Sequence, residues 1–341
     1  MPGLRRLHAL TQGVDTPSTR FRWGQYVPLW RAQGLAVQEW PARCGAYPPP
    51  AQALRPFWGA AALAESSWRA WRAGSGGLCV LQRHLIATLH SAERLIRAPY
   101  VFDVDDAIFL GPRGASADAI ARRAAHIVCG NRFLAEHFAA CGPVTVLPTA
   151  VDTERFSDRG RQRPARPTLG WCGSSSGFPY LYAIEGALSE VLRRHPEARL
   201  RVVADRAPQF TRLPARQLEF RRWQADSEAA VLKEFSIGLM PLPDSDWARG
   251  KCSFKMLTYM STGLPCVVSP VGMNAELLAL GALGLGPRSE AEWVDALDQL
   301  LREPDPGAAL GATGRRIAVA QFERRHVADQ LRRCFEAVHA G

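Results

Sequence analysis

Lysine is scarce in this 341-residue chain: of 42 basic residues only Lys233, Lys251 and Lys255 are lysine, and two of the three fall inside five residues. They sit in Arg249-Gly250-Lys251-Cys252-Ser253-Phe254-Lys255, which runs on through Met256, Leu257, Thr258 and Tyr259 to Gly263 and Pro265. These residue types predict a cationic loop, a short helix and a strand, in that order. Ser253 suits the N-cap, Gly263 the left-handed position past the helix end and Pro265 the stop, before the buried parallel strand Cys266-Val267-Val268-Ser269. A helix N-terminus offers unpaired N–H groups and a partial positive charge, so Lys251 and Lys255 beside it outline a phosphate site. The rival account is a solvated basic helix start.

A second constellation is acidic. Tyr100-Val101-Phe102-Asp103-Val104-Asp105-Asp106 reads as a strand ending in carboxylates, and Leu78-Cys79-Val80-Leu81-Gln82 as a strand closing with Arg83, both at one sheet edge. A carboxylate there can orient or deprotonate a hydroxyl, and Asp-x-Asp can hold a divalent cation through oxygen ligands; helix capping by Asp105 or Asp106 is the alternative. Leu7-His8-Ala9-Leu10 reads as a first strand, followed by the loop from Thr11 to Arg22 and an amphipathic helix ending near Gly34. Ligands of open parallel sheets sit at the carboxyl ends of strands, so Arg20 and Arg22 are placed either to reach a substrate or as helix-surface arginines.

The elements that must position these groups alternate. A helix through Ala119 to Ala125, the strand His126 to Cys129, a helix from Asn131 to Ala140 and the strand Val144 to Pro148 indicate a doubly wound α/β sheet. Residues 157 to 167, rich in arginine with Pro164 and Pro167, lack an apolar period and read as an interdomain linker. The pattern then restarts. Strand Thr168 to Cys172 leads through the tight loop Gly173 to Gly177 into a helix from Tyr180 to Arg194. Strands Leu200 to Ala204 and Leu218 to Trp223, a helix from Ser227 to Phe235 and strand Ile237 to Pro241 follow. Glu290 to Leu301 and Gly314 to His339 read as terminal helices, which gives domains over 1–160 and 168–320 and a helix over 321–341 crossing back to the first.

Composition sets bounds. A chain 47% hydrophobic at this length can bury two ordinary cores. No apolar run approaches the roughly 18 residues of a membrane span. Met1 to Arg6 leads directly into a strand, so cytoplasmic residence is expected, with the inner face of the membrane as a further option. The eight cysteines show no metal-ligand spacing, so free thiols and no structural metal are expected. Net charge is +10, and residues 1 to 165 carry 20 basic against 12 acidic residues, a surplus of 8, suiting an anionic or membrane-borne partner or simply solubility. Nothing interleaves aromatic and basic residues as RNA modules do, which argues against nucleic acid. Residues 45 to 75 hold Phe57, Trp58, Trp68, Arg69, Trp71 and Arg72 in a predicted helix. Such a face suits peripheral membrane contact, but Glu65 and the many alanines favour tryptophans packed inward.

Three segments together, Val101 to Phe109, Leu169 to Ser174, and Ser236 to Leu242 with its continuation Ser269 to Asn274, resemble glycosyltransferase family 4 (glycosyl transferases group 1), of the GT-B fold. The resemblance implies two Rossmann-like domains facing across a cleft, a nucleotide sugar on the C-terminal one and the acceptor on the N-terminal one. It implies transfer with the anomeric configuration retained; because cationic side chains stand in for a metal, a metal-independent hexosyltransferase without a cofactor is expected. Lys251, Lys255 and Arg249 would hold the diphosphate and stabilise its charge as the glycosidic bond breaks, and Asp105 or Asp106 would position the acceptor. Trp223 would lie near the base, Gly173 and Ser174 beside the diphosphate, and the Gly272, Met273 and Asn274 backbone against sugar and phosphates. Arg20, Arg22, Arg83 and Asp103 fall on the acceptor side. The pattern departs from the family's where two glutamates with seven residues between them normally contact the donor: those positions hold Gly250 and Thr258, with Thr258 or Glu276 as substitutes. That departure supports an alternative, a catalytically inactive nucleotide-sugar-binding protein of the same fold.

Overall fold

The computed structural model describes residues 4–340 apart from 15, 46, 75–76, 88–90, 112–113 and 163. Asp15 of the first loop and Arg163 of the arginine-rich stretch therefore lie outside the described residues. The chain forms two compact units: unit 1 comprises Met1–Ala150, Arg249–Cys252 and Arg324–Gly341, and unit 2 comprises Val151–Ala248 and Ser253–Glu323.

Unit 1 is built on six parallel strands, β1 (Arg6–Thr11), β2 (Ala36–Pro41), β3 (Leu78–Gln82), β4 (Tyr100–Val104), β5 (His126–Cys129) and β6 (Val144–Val146), in the order β2-β1-β3-β4-β5-β6. β3 and β4 are buried along their whole length, as the largely apolar central strands of a sheet covered on both faces must be. On one face Trp23, Tyr26 and Trp30 pack with Phe335 of the closing helix Arg324–Ala340, and the Trp30 indole donates to the Ala328 carbonyl at 3.0 Å. The winding reverses between the adjacent strands β1 and β3, so their carboxyl ends form the place where such a sheet leaves a crevice.

Unit 2 carries β7 (Thr168–Cys172), β8 (Arg199–Ala204), β9 (Leu218–Arg222), β10 (Ile237–Met240), β11 (Cys266–Val268) and β12 (Gly284–Leu285), all parallel, in the order β12-β11-β10-β7-β8-β9. This is the dinucleotide-fold order, with its switch between β7 and β10. Leu188, Val191 and Leu192 of the helix Glu185–Arg194 cover the sheet together with Trp293, Leu297 and Leu300 of the helix Glu290–Arg302. The α/β class expected from the alternation is the observed one.

Several local expectations change. The first helix is broken into a π-turn over Arg20–Gly24 and a helix over Val27–Ala32, because Pro28 lacks the N–H a continuous helix would need. Gly314 to His339 is not one helix: Pro304–Gln321 ends before Arg324–Ala340 begins, the Phe322 carbonyl accepting from Val151 N and Glu323 pairing with Val151. The supposed linker is fastened to unit 2, Arg161 donating to the Phe235 carbonyl and Arg166 to those of Glu197, Ala198 and Arg216. The aromatic helix, Arg55–Ala73, buries Ala62, Ser66, Arg69, Ala70 and Ala73 and leaves Trp68 and Trp71 53% and 54% exposed. Small residues let its backbone approach the sheet, and the Arg69 guanidinium donates to the carbonyls of Thr11 and Trp40, so the bulky rings take the outer side.

Candidate functional site

In unit 2 the groups gather at the switch point. The helix Phe254–Ser261 ends in a Schellman pair, Leu264 N bonding to Tyr259 O and Gly263 N to Met260 O, with Gly263 at φ +66° as that motif demands. Its other end differs from expectation. Ser253 is itself left-handed (φ 49°, ψ 27°) and its side chain does not cap the helix; its hydroxyl donates to Asn274 Oδ1 at 2.7 Å. Asn274, fully buried, donates in turn to the Ser269 carbonyl at 3.0 Å, which ties the helix start to the turn after β11. Asn274 is thus a brace through its side chain.

Lys255, in the first turn, has its ammonium 5.2 Å from the centre of the Trp171 ring at the end of β7. A Cβ added at Gly173 would lie 2.6 Å from Lys255 Cε and 2.9 Å from Nζ, so this lysine fills the space a side chain would take beside the β7 loop. Ser174 Oγ lies 2.7 Å from Ser176 Oγ, and Asp205 holds the same loop by accepting from Ser175 N and Oγ at 2.6 and 2.7 Å. The Thr258 hydroxyl is turned back onto its own helix, donating to the Lys255 carbonyl at 2.7 Å. Gly272 (φ +53°) precedes the helix Met273–Leu278, whose first turn carries the exposed Glu276, and Met273 is buried. Trp223 follows β9, its N–H bonded to the Ala204 carbonyl.

In unit 1 the ends of β3 and β4 carry a charge network of Arg22, Arg83, Asp103, Asp105, Asp106 and Lys251. Arg22 and Asp103, both buried, form an ion pair in which Nη2 lies 2.8 Å from Oδ1 and Nε donates to Oδ1 and Oδ2 at 3.0 and 3.2 Å, and Arg22 also donates to the Leu147 carbonyl. Arg83 stands left-handed at φ 54° just past β3, an unusual posture for a residue with a side chain; there it pairs through Nε with Asp105 and at 3.4 Å with Asp106. Lys251 Nζ lies 3.8 Å from Asp106 Oδ1, an oxygen that is buried with no hydrogen-bond partner among the described residues. Arg20 sits 4.7 Å over the Phe21 ring.

The Arg249–Cys252 segment is pinned from below by Asn131, which the sequence reading missed. Its Oδ1 caps the helix Arg132–Phe138 by accepting from Leu134 N at 2.9 Å, while its Nδ2 donates to the carbonyls of Arg249 and Lys251 at 3.1 Å each. Cys252 Sγ donates to the Asp105 carbonyl at 3.2 Å, and a Cβ on Gly250 would strike Ala107 Cβ at 2.5 Å. A glutamate at 250 has no room.

Burial pushes the Asp103 carboxyl up to about 6, against the pull of Arg22. Burial acts on Asp105 too, but the Arg83 guanidinium outweighs it and holds that carboxyl below the ordinary range. For Asp106 burial prevails over Arg83 and Lys251 and the shift is upward. Adjacent carboxylates driven in opposite directions can divide an ionised role from a proton-accepting one. Each of Asp103 and Asp105 faces a guanidinium, and among the described residues no group of three or more His, Cys, Asp or Glu is placed to hold a metal ion.

Residues 166–303 match the family model described as glycosyl transferases group 1. No curated protein matches by sequence. Among solved structures the chain is similar to sucrose-phosphate synthase from Thermosynechococcus elongatus, with TM-score 0.75, 14% identity, and 98% of this chain and 100% of that one covered. It is similar to Anabaena Alr3699/HepE in complex with UDP-glucose, with TM-score 0.69, 14% identity, and 97% and 99% covered. It is also similar to a glycosyltransferase from Rickettsia africae, with TM-score 0.64, 10% identity and 99% of each chain covered. The chain has the GT-B fold, with two Rossmann-like units, the second of which holds nearly all of the glycosyl transferases group 1 match.

Proposed function

We propose that this chain is a retaining glycosyltransferase that moves a sugar from a nucleoside diphosphate sugar to an acceptor hydroxyl without a metal ion. The observation that carries the reading is the seat of Lys255: first turn of a helix, ammonium over Trp171, and contact with the side-chain-free Gly173 at the switch point of a dinucleotide-type sheet. A fixed cation and a helix N-terminus there stabilise the charge that grows on the diphosphate as the C1–O bond breaks. The departing phosphate oxygen takes the acceptor's proton as the new C1–O bond forms on the same face. Ser174, Trp223 and the Gly272–Asn274 backbone complete the donor side, with Glu276 for a sugar or ribose hydroxyl. Asp106, with its unpartnered oxygen beside Lys251, receives the acceptor hydroxyl; Arg83 keeps Asp105 ionised, and the Arg22–Asp103 pair fixes the strand ends that present them. Arg249 and Lys251 add positive charge, and Arg20 extends the acceptor side.

The similarity to a protein solved with UDP-glucose makes uridine diphosphate sugars the first donors to try. Release of nucleoside diphosphate from a donor panel, with and without chelator, tests the reading. Lys255→Ala is expected to lower turnover by roughly tenfold to a hundredfold, since a hydrogen bond to a charged group contributes about 1.5–3 kcal/mol. Unchanged turnover in that variant removes the lysine role, and loss of activity in chelator with rescue by manganese removes the metal-independent one. A second reading, a donor-binding protein without transferase activity, is favoured by one observation: Gly250 is walled by Ala107, and the Thr258 hydroxyl is committed to Lys255 O. A donor held for hours with no sugar released would select it.

A further inference from the structure

We propose that the outer face of the helix Arg55–Ala73 is a docking surface for an anionic lipid bilayer. Phe57, Ala64, Trp68 and Trp71 recur at helical spacing, so they line one side, and all four are exposed, Phe57 by 76%. Leu54 and Tyr47, also exposed, lie just ahead in the chain. Six of the thirteen large hydrophobic side chains exposed among the described residues fall between positions 47 and 71, a concentration that scattered surface residues do not produce. Arg69 seats the opposite side through the Thr11 and Trp40 carbonyls, so the aromatic face is presented on a fixed element.

Charge selects the occupant. Between Glu39 and Glu93 the sequence holds a single acidic residue, Glu65, whose two oxygens accept from the backbone N–H groups of Arg43 and Cys44 at 2.7 and 2.9 Å. Arg43, Arg55 and Arg72 are exposed, with the Arg72 guanidinium 6.0 Å over the Trp71 ring. Tryptophans at a polar boundary flanked by arginines, with Glu65 committed to two backbone N–H groups, match the interface of a membrane bearing negative headgroups. No helix among the described residues is long and apolar enough to cross a membrane, so the contact is peripheral.

The test is flotation of the full chain with vesicles of phosphatidylcholine alone or of phosphatidylcholine with phosphatidylglycerol. Binding to the anionic vesicles is expected at least tenfold more strongly, weakening with salt. The Phe57→Ser/Trp68→Ser/Trp71→Ser variant is expected to lose at least tenfold of it with an unchanged unfolding transition. Arg55→Glu/Arg72→Glu, which leaves the aromatic face in place, is expected to abolish the lipid-charge preference, since each arginine near such a surface is worth roughly fivefold. Absence of binding, or equal binding to both vesicle types, overturns the proposal. So does self-association without vesicles that the aromatic variant abolishes, which would make a second copy the occupant.

Discussion

Asn131 offers a perturbation whose two jobs separate cleanly. Its carbonyl oxygen caps a helix and its amide nitrogen holds two main-chain carbonyls of the lysine-bearing segment, at 3.1 Å each. Asn131→Ser keeps an oxygen able to accept from Leu134 N and cannot span the two carbonyls. Two neutral hydrogen bonds at about 0.5–1.5 kcal/mol each set the expected loss at about 1–3 kcal/mol. Asn131→Ala should lose roughly 1 kcal/mol more with the cap. Asn131→Asp keeps the cap but turns lone pairs toward both carbonyls, so it should fall at or below the serine variant. Denaturant unfolding gives the magnitudes, and hydrogen exchange of the Leu134 amide reports the cap separately: protected in the serine and aspartate variants, fast in the alanine one. A further readout is the proposed sugar transfer, expected to fall in Asn131→Ser although no group proposed to bind donor or acceptor was removed. If Asn131→Ser unfolds and turns over like the parent protein, those two contacts do not hold Arg249–Cys252, and the reasoning fails.

Gly173→Ala should displace the Lys255 side chain, because the new methyl would meet Cε at 2.6 Å; calorimetry is expected to show donor affinity reduced with little change in thermal unfolding, and equal affinity would contradict the placement. Gly250→Glu, which supplies the glutamate that the sequence resemblance implies at this position, should instead destabilise unit 1 by about 1–3 kcal/mol, since Ala107 occupies the space; enhanced activity in that variant would count against it. Asp103 binds a proton more tightly folded (about 6) than at the ordinary carboxylate value, so its contribution to stability is complete below that ordinary value and is lost as pH rises through 6. Asp103→Asn should flatten the matching part of the stability–pH curve while costing about 3–5 kcal/mol outright, because Arg22 is left buried and unpaired; an unaltered slope would assign the proton elsewhere.

The sheet framework could be read from the chain because runs such as Leu78–Gln82 and Thr168–Cys172 are largely apolar, and because Gly263 announces its own left-handed turn. β2, largely unburied and partly polar, and the two-residue β12 escaped, lacking such runs. What stayed hidden depends on distant partners: Asn131 acts on carbonyls 118 and 120 positions away, and Ser253 abandons the capping its local context favours for Asn274, 21 positions on. The aromatic helix was turned the wrong way for a related reason. Its orientation follows from close approach by Ala62, Ala70 and Ala73 and from the reach of Arg69, neither visible in a count of large hydrophobic side chains. Gly250 looked like a missing glutamate; only the position of Ala107 explains why nothing larger stands there.

Arg83 sets a backbone cost against an electrostatic gain at one residue. Its positive φ is a posture that glycine or asparagine adopts at less cost, whereas its guanidinium is what two aspartates lean on. Replacement by glycine or asparagine would relieve about 1 kcal/mol of backbone cost but leave two largely buried carboxylates without their guanidinium, at about 3–5 kcal/mol, so selection for heat resistance alone should keep arginine here and tolerate its posture.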